Sequence, residues 1–255
     1  MFDQLRDVTP KAILFDATRC IGCGACYEAC KEANELPQTA DDPLADHLSY
    51  ATFTVVEEHG ERYVRRMCMH CLDPTCVSVC PVGAFEKLPE GPVIYHADRC
   101  MGCRYCMQAC PFGIPRYEWH RTDPRVRKCE FCYTRQREGR QPACAEACPA
   151  EATVFGDRDE LIAEARRRIA EDPDTYVDNI YGLEEAGGTS VLILSDVPFE
   201  ELGLPTNLPH EPLPELTWAV LAKIPRFSVL AGVFLTGVWW ITNRREEVRR
   251  AEGGE

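Results

Sequence analysis

The sequence predicts an α+β fold made of cysteine-bearing units, followed by a single C-terminal transmembrane helix. Three observations lead to it. Four cysteine runs of related spacing lie between Cys20 and Pro149. The order strand, cysteine loop, short helix returns along the same stretch, which is internal duplication at the level of a half-unit. After a proline-rich segment, the residues from Phe227 to Thr242 carry no charge.

The run from Cys100 to Pro111, CMGCRYCMQACP, sets the pattern. Cys100, Cys103 and Cys106 recur at every third residue, and Cys110 follows before Pro111. This C-x2-C-x2-C-x3-C-P spacing is the one that holds a [4Fe–4S] cube in bacterial ferredoxins. Three thiolates on one tight loop reach three irons of a cube, and the fourth cysteine, on the following helix, ligates a neighbouring cube. Pro111 ends that helix because it has no N–H for the helical ladder. One such run therefore requires another with which to exchange a cysteine. Cys20, Cys23, Cys26 and Cys30 repeat the spacing, with Lys31 in place of the proline. Cys68, Cys71, Cys76 and Cys80 repeat it with two residues inserted before the third cysteine, and Cys129, Cys132, Cys144 and Cys148 with a longer insertion there. Four cubes need sixteen ligands, and the chain has 16 cysteines.

A chain of 255 residues allows one or two domains with a modest core. Its net charge of −13, from 41 acidic and 28 basic residues, argues against nucleic acid as a partner. Disulfide scaffolds are usually short secreted chains. Structural zinc uses paired C-x2-C motifs, but rarely three cysteines in a row closed by C-P. Inert buried cysteines do not produce regular spacing. Iron–sulfur ligation is the reading that accounts for all four runs. The N-terminal MFDQLRDVTPK has no apolar leader segment and no twin arginine, so the chain is expected to carry no export address of its own.

Along the chain, KAILFD (11–16) reads as a strand feeding the first cysteine loop. Residues 34–48 lack an apolar period and read as an inserted surface loop. Ser49 to Glu57 is β-branched and aromatic, and pairs with Glu61 to Met67 across a turn at His59-Gly60. Pro92 to His96 is the matching strand before the third run. In the link from Gly113 to Cys129, Tyr117 and Trp119 either line a path between clusters or shield them from water. His70, His96 and His120 read as structural or solvent-facing, because the cysteine count is already complete. Asp157 to Ala170 is a helix with a capping-box-like start and an apolar face of Leu161, Ile162, Ala165 and Ile169. Its arginines, Arg166 to Arg168, read as its solvated face. Ser190 to Ser195 is a buried strand.

Pro205, Pro209, Pro212 and Pro214 mark an extended linker, expected over 205–217. Phe227 to Thr242 spans about 24 Å as a helix, short of a bilayer core of about 30 Å. Trp218 to Ile224 extends it, giving a transmembrane helix over 218–243 and a charged tail over 244–255. Trp239 and Trp240 fit an interfacial belt. The alternative is a buried core helix. Arg244, Arg245, Arg249 and Arg250 follow the span, against Lys223 and Arg226 before it. The positive-inside rule then places the tail in the cytoplasm and the cluster domain on the outer, periplasmic face of the cell membrane.

Four segments, CIGCGACYEACKEAN, CMGCRYCMQACPFGIPRY, VRKCEFCYTRQREGRQPACAEACPAEATVFG and YGLEEAGGTSVLILSDVPFEELGLP, resemble the iron–sulfur β subunits of bacterial respiratory oxidoreductases. Those include formate dehydrogenases, dimethyl-sulfoxide and polysulfide reductases and quinone-linked nickel–iron hydrogenases. The likeness covers about residues 11–205, and the single C-terminal span favours the formate dehydrogenase and hydrogenase branches. It implies two ferredoxin-like dicluster units, one nested in the other: an outer unit over 1–59 and 125–156, an inner unit over 60–124, and a C-terminal subdomain over 157–204. It also implies how cysteines are exchanged. One cube takes Cys20, Cys23, Cys26 and Cys148, and its partner Cys129, Cys132, Cys144 and Cys30. The other pair takes Cys68, Cys71, Cys76 and Cys110, and Cys100, Cys103, Cys106 and Cys80. The missing proline of the first run is expected to matter little to ligation.

The expected function is electron transfer through four [4Fe–4S] clusters. The sequence offers no nucleophile–base pair and no nucleotide-binding glycine motif, so no catalytic residue is assigned and the chain is not expected to be an enzyme by itself. Its expected partners are a catalytic oxidoreductase subunit (a molybdenum or tungsten pterin enzyme like formate dehydrogenase, or a nickel–iron hydrogenase), an integral-membrane quinone-reactive subunit, cytochrome b-like or polysulfide-reductase-like, and membrane lipid. The alternative is a reductase subunit of the dimethyl-sulfoxide or polysulfide type, taking electrons from quinol to a terminal acceptor. Chemistry at an open cluster needs a cube short of a cysteine, and none is short. A soluble carrier is disfavoured by the span.

Overall fold

Lys11–Asp16 forms strand β1, the centre of a three-stranded sheet. It pairs antiparallel with β8 (Thr153–Asp157) and parallel with β9 (Val191–Leu194), placing Ile13 opposite Phe155 and Val191. Both β1 and β9 are almost wholly buried, as their unbroken apolar runs require, because the sheet is covered on both faces. Ala12, Leu14, Leu192 and Leu194 pack under helix α6 (Arg158–Glu171), through Leu161 and Ala165. Ile13, Phe15, Val191 and Ile193 point the other way, into the core that contains Cys30, Cys129 and Cys144. The sheet thus separates α6 from the cysteines. The computed structural model describes residues 8–253. The start of the expected outer unit, with much of the segment read for a leader, and the last two residues of the tail lie outside the described residues.

Three short hairpins hold the cysteine loops: β2 (Val55–His59) with β3 (Arg62–Arg66), β4 (Phe85–Lys87) with β5 (Val93–Tyr95), and β6 (Arg116–Tyr117) with β7 (Val126–Arg127). The short helices pair by run. Helix α1 (Ala25–Ala33) of the first run packs on α5 (Ala143–Glu146) of the fourth, and α2 (Thr75–Ser78) of the second on α3 (Tyr105–Ala109) of the third. Helix α4 (Tyr133–Arg137) lies in the fourth-run insertion.

Several expectations change. The first hairpin strand starts at Val55, not Ser49. Ser49 and Thr52 close a local turn through their backbone groups, and Thr52 Oγ1 turns to Lys31 and Asp46. Lys31 is only 2 % exposed, with its ammonium bonded to Pro37 O, Thr39 Oγ1, Ala51 O and Thr52 Oγ1. Where the other runs have proline, the first run has a buried cation that ties loop 34–52 to α1. Asp157 precedes α6 but makes no side-chain cap, because it pairs with Lys11 across the sheet. Arg168 does not belong to a solvated face: it is buried, 3.0 Å from the fully buried Asp16 and 2.7 Å from Glu164. Its long side chain reaches over the sheet end to a carboxylate that also accepts from Thr18 and Tyr176.

The chain divides into two compact units, one running to Leu213 and the other from Pro214. In the second, α7 (Leu213–Leu221) and α8 (Ile224–Ala251) are broken at Ala222-Lys223, where Pro225 opens α8. Leu213 to Thr217, expected in the linker, are therefore helical, and Arg244 to Ala251, expected as a tail, prolong α8. No side chain of either helix is buried, and Phe227, Val233, Phe234 and Trp240 stand exposed. Among the described residues this is the one stretch long and apolar enough to cross a membrane.

Arg168→Met should cost about 3–5 kcal/mol in chemical denaturation, because it takes from fully buried Asp16 its buried cation and leaves only the exposed Arg19, 3.5 Å away. Arg167→Ala, on an exposed pair, should cost far less. Equal losses would mean that Arg168 does not anchor the sheet.

Candidate iron–sulfur sites

In all four runs the residue before the second cysteine has a positive φ: Gly22 (66°), His70 (49°), Gly102 (75°) and Phe131 (61°). This left-handed residue turns the loop so that backbone N–H groups face the first cysteine's sulfur, an anion-binding arrangement. Phe131 N–H donates to Cys129 Sγ at 3.3 Å, and Gly22 N–H lowers the pKa of Cys20 in the same way. The fourth cysteines are served too. Ala84 N–H donates to Cys80 Sγ at 3.2 Å, and the N–H groups of Phe112, Gly113 and Ile114 face Cys110. Two of the loop residues must be glycine for a further reason. A Cβ on Gly22 would lie 2.7 Å from the Tyr63 ring, and one on Gly102 3.0 Å from Tyr117 Oη.

The thiols gather across runs. Cys30, Cys129, Cys132 and Cys144 line one recess together with Ile13 and Phe131. The charge of Cys148 bears on Cys20 and Cys26, that of Cys110 on Cys71 and Cys76, and that of Cys80 on Cys106. Each fourth cysteine is thus close to a foreign run. Three further couplings join one group to the next: Cys26 with Cys144, Cys129 with Cys68, and Cys76 with Cys106.

Burial dominates the electrostatics. It pushes Cys26, Cys76 and Cys106 up to about 12, and Cys30, Cys71 and Cys129 higher still. Thiols so placed stay protonated until a metal displaces the proton. Cations stand near the sulfurs. Burial lowers Lys87 to about 8 against the opposing charges of Cys71 and Cys68, and its ammonium bonds His70 O and Gly91 O. Buried Lys128 donates to Val93 O and Cys129 O, and its charge reaches Cys76.

These residues fit iron–sulfur cubes. The donor set is thiolate. Thr54 Oγ1, buried in the lining of the Cys30 recess, has no hydrogen-bond partner among the described residues, as a donor awaiting a sulfur would. Ligands of a single zinc sit about 2.3 Å from one centre. Among the described residues no three His, Cys, Asp or Glu side chains converge closely enough to hold one ion.

The other candidates fall into place around the cysteines. His70 is fully buried, accepts from Val93 N–H through Nδ1 and packs on Phe131; burial, then the charges of Lys128 and Lys87, keep it neutral. His96 pairs with Glu86, and His120 stacks on Tyr50. Tyr117 covers the third loop at Gly102, whereas Trp119 is 67 % exposed, edge-on to Tyr117 with Arg104 over both rings. Sequence reasoning missed the buried donors Arg65, Lys128 and Thr54 and the half-buried Lys87. No spacing signals them. The one hint was a charged or hydroxyl residue within an otherwise apolar segment next to a cysteine run.

Comparison with known proteins agrees with this arrangement. Two models, each described as a 4Fe-4S dicluster domain, match residues 61–158 and 19–84. The Hydrogenase-2 operon protein HybA of Escherichia coli O157:H7 is 39% identical over 236 residues, covering 76% of this chain and 72% of that protein. The formate dehydrogenase-O iron-sulfur subunit of Escherichia coli (strain K12) is 37% identical over 224 residues, covering 80% of this chain and 74% of that one. A subunit of the anaerobic dimethyl sulfoxide reductase of the same strain is 39% identical over 160 residues, 60% of this chain and 76% of that one. With its cysteine runs, dicluster matches and relatives of this kind, the chain belongs to the family of electron-transferring iron–sulfur subunits of respiratory oxidoreductases.

Proposed function

We propose that the 16 cysteines hold four [4Fe–4S] clusters in four exchanged quartets. These are Cys20, Cys23, Cys26 and Cys148; Cys129, Cys132, Cys144 and Cys30; Cys68, Cys71, Cys76 and Cys110; and Cys100, Cys103, Cys106 and Cys80. The observation that carries this reading is the recess lined jointly by Cys30 of the first run and Cys129, Cys132 and Cys144 of the fourth. The packing of α1 on α5 and of α2 on α3 supports an inner dicluster unit, 60–124, nested in an outer one, 1–59 with 125–156.

When bound, such cubes supply one-electron carriers. The chain's own residues hold them, keep water from them and set their order. Couplings between neighbouring quartets favour the sequence Cys20 quartet, Cys129 quartet, Cys68 quartet, Cys100 quartet. The two end quartets reach the surface. Cys23 is exposed beside exposed Ile21, and Met101 and Tyr105 stand exposed around Cys103. Apolar side chains at both ends of a relay suit docking to proteins that deliver and remove electrons. One is a catalytic subunit, a molybdenum or tungsten pterin formate dehydrogenase or a nickel–iron hydrogenase. The other is a quinone-reactive membrane subunit, cytochrome b-like or polysulfide-reductase-like. The chain then acts as a wire and not as an enzyme by itself. The likeness to the dimethyl sulfoxide reductase subunit favours a second reading, with electrons running from quinol to a terminal acceptor.

Helix α8 with α7 anchors the wire in the cell membrane by a single pass, against lipid. The four arginines Arg244, Arg245, Arg249 and Arg250 after the apolar stretch favour a cytoplasmic end and a periplasmic cluster domain.

Cys110→Ser should alter the spectrum of the cube on Cys68, Cys71 and Cys76 and leave that on Cys100, Cys103 and Cys106 unchanged, by electron paramagnetic resonance of the reduced protein. Damage confined to the Cys100 cube would mean that each run closes on itself. For the membrane reading, truncation after Thr206 should free a cluster-bearing domain from the membrane, and protease added to spheroplasts should cut that domain in the full chain. A protected domain would reverse the orientation, and a truncated chain that stays in the membrane would overturn the anchor.

A further inference from the structure

Arg65 is the most conspicuous charged group that the cysteine pattern does not explain. It lies on β3 opposite Val56, and only 3 % of it is exposed. Among the described residues no carboxylate pairs with it. Its Nε and Nη1 have no hydrogen-bond partner among the described residues, and Nη2 reaches Met67 Sδ, at 2.8 Å. Its guanidinium carbon lies 5.9 Å from the Phe15 ring centroid. A buried guanidinium without a partner costs several kcal/mol, so it requires a counter-charge. The opposite charges that bear on it, once metal binding makes these cysteines thiolates, are Cys144, Cys26 and Cys129. Its own charge in turn reaches Cys20, Cys30 and Cys132. These six cysteines belong to two quartets, the adjacent Cys20 and Cys129 ones.

We infer that Arg65 sets the reduction potential of the two clusters held by these quartets, giving its unpartnered N–H groups to their sulfur and leaving one fixed positive charge shared by both. The inference rests on the quartet assignment above. Reduction adds one electron to one cube as its neighbour gives one up, and no proton is needed. A fixed cation and N–H···S hydrogen bonds both favour the more negative, reduced form, and so raise the potential. Arginine does not deprotonate in proteins, so the charge persists in every redox state. It also faces both cubes of the pair, which evens the energies of an electron on either one. The inner quartets have lysines instead: Lys87 beside Cys71 and Cys68, and Lys128 beside Cys76. Arg65 is therefore a positioning residue for electrons in the outer pair only.

The test is a redox titration of the detergent-solubilised full chain, followed by electron paramagnetic resonance, with iron and labile sulfide measured on the same samples. The outer-pair signals are assigned beforehand as those changed in Cys148→Ser, for the Cys20 cube, and in Cys30→Ser, for the Cys129 cube. In Arg65→Gln the oxidised-to-reduced ratio of the outer pair at a fixed potential should rise at least tenfold, equivalent to 59 mV for a one-electron couple. The inner-pair signals should stay where they are. Arg65→Lys, which keeps a charge but not the fork, should shift the outer pair less. Unchanged potentials, or an equal shift of all four cubes, would overturn the inference. If Arg65→Gln fails to assemble its cubes, Arg65→Lys decides: four cubes with an outer-pair shift uphold the inference, and four unshifted cubes or lost cubes overturn it. A wild-type chain that does not hold four cubes would instead overturn the quartet assignment.

Discussion

Bringing sixteen sulfurs inside one small domain governs the rest of the structure. A thiolate in an apolar interior is costly, and burial is the largest of the causes that drive Cys26 and Cys76 up to about 12 and raise Cys129 well above the ordinary thiol range. The chain answers with dipoles and fixed cations. Each loop is turned by a left-handed residue, so that amide N–H groups face sulfur. Lys87, Lys128 and Arg65 bring positive charge to the same interior, in a chain whose net charge is −13. The three hairpins and the short helices are too small to be stable alone. They hold their shape because they pack on one another and, as we propose, on cubes.

That arrangement leads from sequence to function through proximity. On the proposed quartets, a cysteine that closes a neighbour's quartet fixes two runs side by side, and the couplings between quartets put each group next to another. Electron transfer needs little else from the protein: short steps, a dry interior and tuned charges. The exposed apolar residues at the two end groups, Ile21 and Met101 with Tyr105, are where, as we propose, the relay meets its donors and acceptors. The sheet of β8, β1 and β9 buries a second apolar cluster under α6, on its far face.

Much of this was legible in the sequence where the signal is local. The cysteine spacings gave the iron–sulfur chemistry, and the apolar runs KAILFD and VLIL gave β1 and β9 to within a residue. What escaped depends on partners far along the chain. The pairing of β4 with β5 and of β6 with β7 rests on strands of two or three residues, too short for any periodicity. Arg168 read as a surface arginine because its partner, Asp16, is 152 residues away. Ser49 to Thr54 has strand composition, but the Thr52 hydroxyl serves Lys31 and Asp46 instead. His70 and Phe131 take left-handed conformations that non-glycine residues seldom adopt, which only the repeat of the four loops makes intelligible. The break at Ala222-Lys223 was signalled by Pro225, yet an apolar span reads more strongly than one proline.

The central claim is that four cubes use all 16 cysteines. Metal and acid-labile sulfide analysis of the full chain, purified without oxygen, tests it most directly. About 16 iron and 16 sulfide per chain, with negligible zinc, is the predicted result. About two zinc with little sulfide, or iron reaching only about 12, would contradict it.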